Sequence, residues 1–112
     1  MSDILNQLDA ILEARKSESA DSSYVASLYS KGLEKILKKV SEEASETIMA
    51  AKDLEHNESQ ENKDHLVYEI TDLWFHTMVL LASQNLSSED ITAELQRRFG
   101  LSGHEEKASR EK

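Results

Sequence analysis

The chain contains no cysteine and no proline, and only three of its 112 residues are glycine. Without cysteine, disulfide bonds, thiol catalysis and zinc–thiolate sites are excluded. Without proline, and with so few glycines, long helices can form without interruption. No apolar run approaches the roughly 20 residues that a membrane-spanning helix needs. Together with helical spacing of the apolar residues, these absences predict one all-α domain and no contact with the membrane interior.

Basic residues are also in short supply, since 22 acidic residues face only 13 basic ones and the net charge is −9. Such a charge disfavours broad binding to nucleic acid or to anionic membrane surfaces, although a local basic site for phosphate is compatible with it. The first residues, Met1 to Leu5, lack a basic segment followed by an apolar core. We therefore expect no signal peptide and a cytoplasmic protein.

Apolar residues at helical spacing predict a bundle of about four to five helices. They cover approximately residues 4–12, 24–30, 33–54, 64–83 and 88–99. The expected N-caps and C′ residue are Ser2 or Asp3, Ser22 or Ser23, Ser87, and Gly100. Gly32 marks a bend, and residues 15–22 and 55–64 contain polar connections. The domain is expected to span residues 1–101, followed by a solvated, poorly ordered tail at 102–112.

The fourth predicted helix becomes apolar nearly all round between Leu73 and Ala82. A helix with this pattern is buried on every side. A chain of this length can hardly cover such a helix alone. We therefore expect a homo-oligomer, a dimer or larger, to complete the bundle.

Two pairs of acids lie inside apolar-periodic segments instead of polar loops. The first pair is Glu43 and Glu46, and the second is Glu69 and Asp72. Residues three apart share one face of a helix, so two packed helices would direct four carboxylates at one point. Carboxylate oxygens suit a hard divalent cation such as Mg²⁺, which usually keeps waters and substrate phosphates in its shell.

Acidic spacing alone has little specificity in this chain. Four other acids, Glu55, Glu58, Glu61 and Asp64, also recur every three residues, but they lie among polar neighbours. Their context is that of a solvated face. For the two candidate pairs, the spacing leaves open a second interpretation, in which two solvated acidic strips never meet.

The helical positions of the acids are compatible with the first interpretation and leave the second open. The apolar stripe of the third helix consists of Leu33, Ile36, Leu37, Val40, Ala44, Ile48 and Ala51. With Leu33 as zero, Lys39, Glu43 and Glu46 lie on one flank of that stripe, at about 240°, 280° and 220°. Glu42 lies opposite the stripe and ranks below them. Two helices packed along their stripes could bring these acidic flanks together beside the interface.

Other side chains near the pairs have two interpretations each. His76 falls on the same flank as the second pair, and it could orient a carboxylate, contact phosphate, or form hydrogen bonds at the edge of the core. Trp74, Phe75 and Met78 could line a base pocket, but helix–helix core is the better default. Lys39 shares its flank with the first pair, which makes it the lysine best suited to neutralise phosphate.

Two segments resemble a known family. The stretch from Tyr24 to Glu46, and the segment from Glu69 to His76 with the apolar run after it, closely resemble the phosphoribosyl-ATP pyrophosphohydrolase family, in the all-α nucleotide pyrophosphatase (MazG-like) superfamily. The superfamily pattern is Glu-x-x-Glu on one helix and Glu-x-x-Asp on the next, which the two acid pairs match. The resemblance covers about residues 4–100. Ser41 departs from it, since glycine is expected there, but it lies outside the ligand set.

The resemblance implies hydrolysis of the α–β phosphoanhydride of phosphoribosyl-ATP, giving phosphoribosyl-AMP and pyrophosphate in the second step of histidine biosynthesis. It implies that the four paired acids hold one or more Mg²⁺ ions. Glu43 or Glu46 would act as general base. The substrate phosphates would be contacted by Lys39, Arg15, Lys16 and His76.

Two other functions remain open at this point. One is a housecleaning pyrophosphatase that acts on another nucleoside triphosphate, with the same metal chemistry and a different base pocket. The other is a non-catalytic helical oligomerisation module whose acids only keep it soluble.

Overall fold

The computed structural model describes residues 2–99, which form five α-helices and one short 3₁₀ helix, with no strand in that range. The elements are α1 (Ser2–Ala14), the 3₁₀ helix (Arg15–Ser17), α2 (Tyr24–Lys31), α3 (Leu33–His56), α4 (Gln60–Ser83) and α5 (Ser88–Arg98). This architecture confirms the all-α prediction. Within the same range, no helix has the length and hydropathy needed to cross a membrane. The predicted tail and the predicted C′ residue Gly100 lie outside the described residues.

Serine side chains start the helices where the sequence predicts caps. The Ser23 hydroxyl accepts a hydrogen bond from the amide of Ala26, and Ser87 forms a capping box with Asp90. These bonds satisfy amides that have no partner inside the helix. The prediction for α1 is wrong by one or two positions. This helix begins at Ser2 itself, so the residues expected to cap it already lie inside it.

Gly32 joins α2 to α3 without an intervening loop. Its φ of +97° lies in a region that favours glycine. Its amide donates to the carbonyl of Leu28, which closes α2, and its own carbonyl accepts from Lys35 and Ile36, which opens α3. The predicted bend is therefore a junction at which one residue ends one helix and begins the next.

Helices α3 and α4 form an antiparallel hairpin whose two halves have different surroundings. We call residues 33–40 and 73–83 the inner half, and residues 41–56 and 60–72 the outer half. Helices α1 and α2 pack on the inner half. The largest fully buried side chains, each at most 1% exposed, are Leu12, Leu28, Ile36 and Val79. Stability therefore concentrates at the inner half, where apolar area is removed from water.

The face of α3 that packs against α4 differs from the predicted stripe. The buried residues of α3 are Ile36, Glu43 and Ala50. Relative to Leu33 they lie at about 300°, 280° and 260°, so the buried face is rotated by roughly 90° from the stripe. Ile48, a member of the stripe, is 64% exposed. Packing along the stripe is therefore confirmed only in part, because Ile36 of the stripe is completely buried but Glu43 of the acidic flank shares the interface and Ile48 faces outward.

Candidate metal and substrate site

The structure brings the acids of the two pairs together between α3 and α4. One carboxylate oxygen each from Glu43, Glu69 and Asp72 lies within 4.8 Å of the others. Glu43 and Glu69 are buried, at 5% and 8% exposure. Glu46 is exposed, and its charge adds to burial in raising the pKa of both Glu43 and Glu69. We call these four residues the acid seam.

Burial and crowding raise the pKa values of two acids in the seam. Burial, followed by interaction with Glu46 and Asp72, raises the pKa of Glu43 above its ordinary value of 4.5, against the opposing effect of Lys39. Burial, followed by the charge of Glu46, also raises the pKa of Glu69. The seam therefore favours anything positive that can share these oxygens, whether a proton or a cation.

Two buried carboxylate oxygens of the acid seam indicate that the site suits a positively charged ligand. Within residues 2–99, Glu43 Oε2 and Glu69 Oε1 are buried without any hydrogen-bond partner. Buried polar atoms in native proteins are almost always satisfied, so each exception needs an explanation. Carboxylate oxygens are the ligands that Mg²⁺ prefers, and one from α3 and two from α4 converge here. The residues present therefore fit a hard divalent cation.

Lys39 lies beside the acid seam, one helical turn before Glu43. Its Nζ is 3.5 Å from Glu43 Oε1 and 3.6 Å from Glu42 Oε1. The ammonium therefore borders the seam on the side of the inner half. Glu42 is half-buried and pairs with this lysine, but it is not among the three acids whose oxygens converge.

His76 is buried against the backbone of α4. Its Nδ1 is 2.8 Å from the carbonyl oxygen of Asp72, and its Nε2 is 2.8 Å from the hydroxyl of Tyr24. Both ring nitrogens are thus engaged within the chain. Of the interpretations open from the sequence, this geometry matches a hydrogen-bonded histidine at the edge of the core.

Tyr24 is a site residue that the sequence reasoning missed. Its ring meets His76 edge-on, with centroids 5.9 Å apart. Burial raises the pKa of its hydroxyl, and Lys39 opposes that effect. Because Tyr24 and His76 are 52 positions apart, no spacing rule connects them. The available signal was its place at the start of the first resembling segment.

Two predicted phosphate contacts are not brought to the acid seam in this chain. Arg15 pairs with Glu18 of its own segment. Lys16 donates to Asn85, in the turn that follows α4, across 3.1 Å. That end of α4 lies 11 residues beyond Asp72, or about 16 Å along the helix axis. Any role for these two cations in phosphate binding stays a prediction.

The three large side chains that follow the second acid pair, Trp74, Phe75 and Met78, have different surroundings. Met78 belongs to the buried core, and Phe75 packs against that core and against the edge of His76. Trp74 is 59% exposed and lines an apolar groove of about 380 Å³ together with Ile91 and Leu95 of α5. The core interpretation therefore fits two of the three residues, and Trp74 is the exception.

Comparison with known proteins agrees with this architecture. A family model described as phosphoribosyl-ATP pyrophosphohydrolase matches residues 5–99. A phosphoribosyl-ATP pyrophosphatase from Hydrogenovibrio crunogenus is 70% identical over 98% of this chain and 95% of its own length. Proteins of the same name from Methylococcus capsulatus and Vesicomyosocius okutanii are 57% and 56% identical over at least 96% of both chains. The chain belongs to the phosphoribosyl-ATP pyrophosphohydrolase family of hydrolases.

Proposed function

We propose that this chain cleaves the α–β phosphoanhydride of phosphoribosyl-ATP in a Mg²⁺-dependent hydrolysis. The products are phosphoribosyl-AMP and pyrophosphate, and the reaction is the second step of L-histidine biosynthesis. The observation that carries the proposal is the convergence of Glu43, Glu69 and Asp72 in a buried seam with unpartnered oxygens. The names of the relatives support the choice of substrate. Because that substrate derives from ATP, we assign the enzyme to the cytoplasm.

Each part of the site has a task in this reaction. The acid seam would hold Mg²⁺, and the ion would offset the negative charge of the substrate phosphates. Lys39 adds a fixed positive charge at the border of the seam. Glu46 is the exposed member and meets solvent, so we assign it to orient the attacking water and accept its proton. Glu43, buried and adjacent, supports the ligand set.

We also propose that two copies of the chain associate through the outer half. Large apolar side chains there are 63–64% exposed, namely Ile48, Met49, Val67 and Tyr68. Exposed large apolar side chains of this kind are typical of protein–protein interfaces. Sedimentation equilibrium should give the mass of two chains or of a larger closed assembly. A monomer at micromolar concentration would contradict this association.

The function is tested by pyrophosphate release from several nucleotides under identical conditions. Phosphoribosyl-ATP is compared with ATP, dATP, dCTP and dUTP, each with Mg²⁺ and with EDTA. We expect release from phosphoribosyl-ATP to exceed the others by a wide margin and to stop in EDTA. Faster release from a deoxynucleotide would instead support a housecleaning pyrophosphatase. Absence of release from every nucleotide would support a non-catalytic module.

A further inference from the structure

Each of the two buried acids in the seam follows a basic residue of its own helix. Lys39 precedes Glu43 by four positions on α3, and its Nζ is 3.5 Å from Oε1 of that acid. His65 precedes Glu69 by four positions on α4, and its Nε2 is 3.5 Å from Oε2 of that acid. Residues four apart share one face of a helix, so each base borders the acid that it contacts. The two helices therefore present the same arrangement to the acid seam.

In both acids the contacted oxygen differs from the oxygen that has no partner among the described residues. Lys39 contacts Oε1 of Glu43, whereas Oε2 of that carboxylate is buried without a hydrogen-bond partner. His65 contacts Oε2 of Glu69, and in this acid Oε1 is the buried oxygen without a partner. Each base thus holds one oxygen of its acid and leaves the second available to a ligand in the seam.

A contact on one oxygen matters because the end of a glutamate side chain turns easily. The last torsion of glutamate has no sharply preferred angle, so holding one oxygen limits where the second one lies. In metalloproteins, residues behind the ligands orient them in this way. Loss of such a residue typically weakens metal binding or activity by about 10- to 100-fold.

Burial distinguishes these two contacts from ordinary surface ion pairs. Lys52 and Glu55 also form a pair on α3, but their side chains are 64% and 66% exposed. Pairs of that kind contribute little, because water and salt screen them. The side chains of Glu43 and Glu69 are at most 10% exposed. Little water reaches these acids, so the neighbouring base has more influence on the orientation of each carboxylate.

We propose that Lys39 and His65 are positioning residues, each of which holds one oxygen of a buried seam acid and thereby directs the other oxygen at the bound cation. The inference rests on the proposed function, in which the acid seam holds Mg²⁺. Both residues act through the acids and neither is a ligand. An ammonium has three donors, so Lys39 can hold Glu43 and still contact a substrate phosphate.

The first experiment compares two replacements of His65. His65→Leu removes the nitrogen, whereas His65→Gln supplies an amide nitrogen that can donate to the same carboxylate oxygen. Leucine and glutamine have similar helix propensities, so the two variants differ chiefly in that donor. The Kd for Mg²⁺ alone is obtained from the rise in Tm as metal is added to the metal-free protein. We expect this Kd to increase about tenfold or more in His65→Leu and to stay near the wild-type value in His65→Gln.

His56→Leu is the matched control for this comparison. His56 is an exposed histidine at the end of α3, so its replacement should leave the Kd for Mg²⁺ unchanged. Equal Kd values for His65→Leu and His65→Gln would overturn the role of His65, because the donor would then have no influence on the metal.

A second experiment tests Lys39 by the sign of the change. Removing a positive charge beside a cation site would by itself tighten Mg²⁺ binding, because like charges repel. The positioning role predicts the opposite, since Lys39→Met leaves Glu43 without the contact that holds Oε1. We expect the Kd for Mg²⁺ to rise in Lys39→Met. Lys52→Met removes the same charge from an exposed pair on the same helix and should leave the Kd unchanged. Unchanged or tighter binding in Lys39→Met would overturn the role of Lys39.

The outcomes separate this inference from the proposed function. A wild type whose Tm rises with Mg²⁺, together with wild-type Kd values in His65→Leu and Lys39→Met, overturns the positioning role alone. A wild-type Tm that does not respond to Mg²⁺ overturns the cation site of the proposed function and this inference with it.

Discussion

The two halves of the α3–α4 hairpin use the same helices for different purposes. In the inner half, Ile36 and Val79 are completely buried and other helices cover them. In the outer half, the carboxylates Glu43 and Glu69 are buried between the helices together with the small Ala50, while Ile48 faces outward at 64% exposure. One end of the hairpin therefore buries mainly apolar side chains, whereas the other end buries two acids and exposes a large apolar side chain.

This difference teaches where the stability and the function of the chain reside. Apolar burial in the inner half contributes favourable free energy to folding. Burying like charges without a partner costs free energy, so the outer half is stable only to the extent that the inner half supports it. In this arrangement, two packed helices hold the acids in fixed positions. A bound cation would offset the repulsion between the buried acids. A second copy of the chain would cover the exposed apolar side chains of the outer half.

The largest expected effect is the loss of turnover when a seam acid is removed. Asp72→Ala or Glu46→Ala should lower kcat by about a thousandfold or more, since a catalytic metal supplies several kcal/mol of charge stabilisation. The fold should survive, because the inner half is untouched. Asp64→Ala, an exposed acid on the same helix as Asp72, is the matched control and should keep the wild-type rate. Wild-type rates in both seam variants would contradict the assignment.

The next effect concerns stability at the two halves. Ile36→Ala should lower the free energy of unfolding by about 2–5 kcal/mol, as large-to-small core changes do, while kcat below the transition stays near the wild-type value. Ile48→Ala is the matched change in the outer half. It should matter only through association, so its effect on Tm should depend on protein concentration. Equal losses from both variants at every concentration would remove the distinction between the halves.

A third effect follows from the raised pKa values of the seam. Because the pKa of Glu43 is higher in the folded chain than its ordinary value of 4.5, the folded state binds the proton more tightly. This contribution to stability is present below pH 4.5 and is lost as the pH rises through the raised pKa. In EDTA, the wild type should therefore lose stability relative to Glu43→Gln across that range. A difference in stability between the wild type and Glu43→Gln that stays constant with pH would show that the pKa of Glu43 is not raised in the folded chain.

The smallest effect concerns Glu94, an acid at the surface of α5 whose pKa is lowered instead of raised. Hydrogen bonds from Arg97 and Arg98 lower the pKa of Glu94 to about 2. Its contribution is present above pH 4.5 and is lost as the pH falls toward 2. Glu94→Gln should lower Tm slightly at pH 7 and not at pH 2, and added salt should shrink the difference. A larger effect than that of Ile36→Ala would reverse the ranking of the regions.

Much of the fold could be predicted because its signals are local. A serine before an apolar-periodic run predicts a cap, and Ser23 and Ser87 are both caps. Gly32 ends one helix and starts another because few other residues adopt its backbone conformation. The packing face of α3 was not predictable in the same way. An apolar stripe shows which side of a helix avoids water, but it does not show whether its own chain or another one covers that side.

The candidate site, like the fold, has parts that local sequence signals could predict and parts that they could not. Residues three apart on a helix must share a face, so the two acid pairs could be recognised from spacing, context and family resemblance. The contact of Tyr24 with His76 joins residues 52 positions apart, and it exists only because α2 folds back onto the hairpin. The positions of Arg15 and Lys16 depend likewise on how α1 and α4 meet. Long-range geometry of this kind has no counterpart in sequence periodicity.

The most direct measurement is the melting temperature of the wild type and of Glu69→Gln as Mg²⁺ is added from zero. If the acid seam is a cation site, the wild type gains stability with Mg²⁺, by about 2.7 kcal/mol at one hundred times the Kd. Glu69→Gln, which lacks one crowded charge, should start at a higher Tm in EDTA and gain far less. A wild-type Tm that ignores Mg²⁺, or a variant that gains as much as the wild type, would contradict a metal site between α3 and α4.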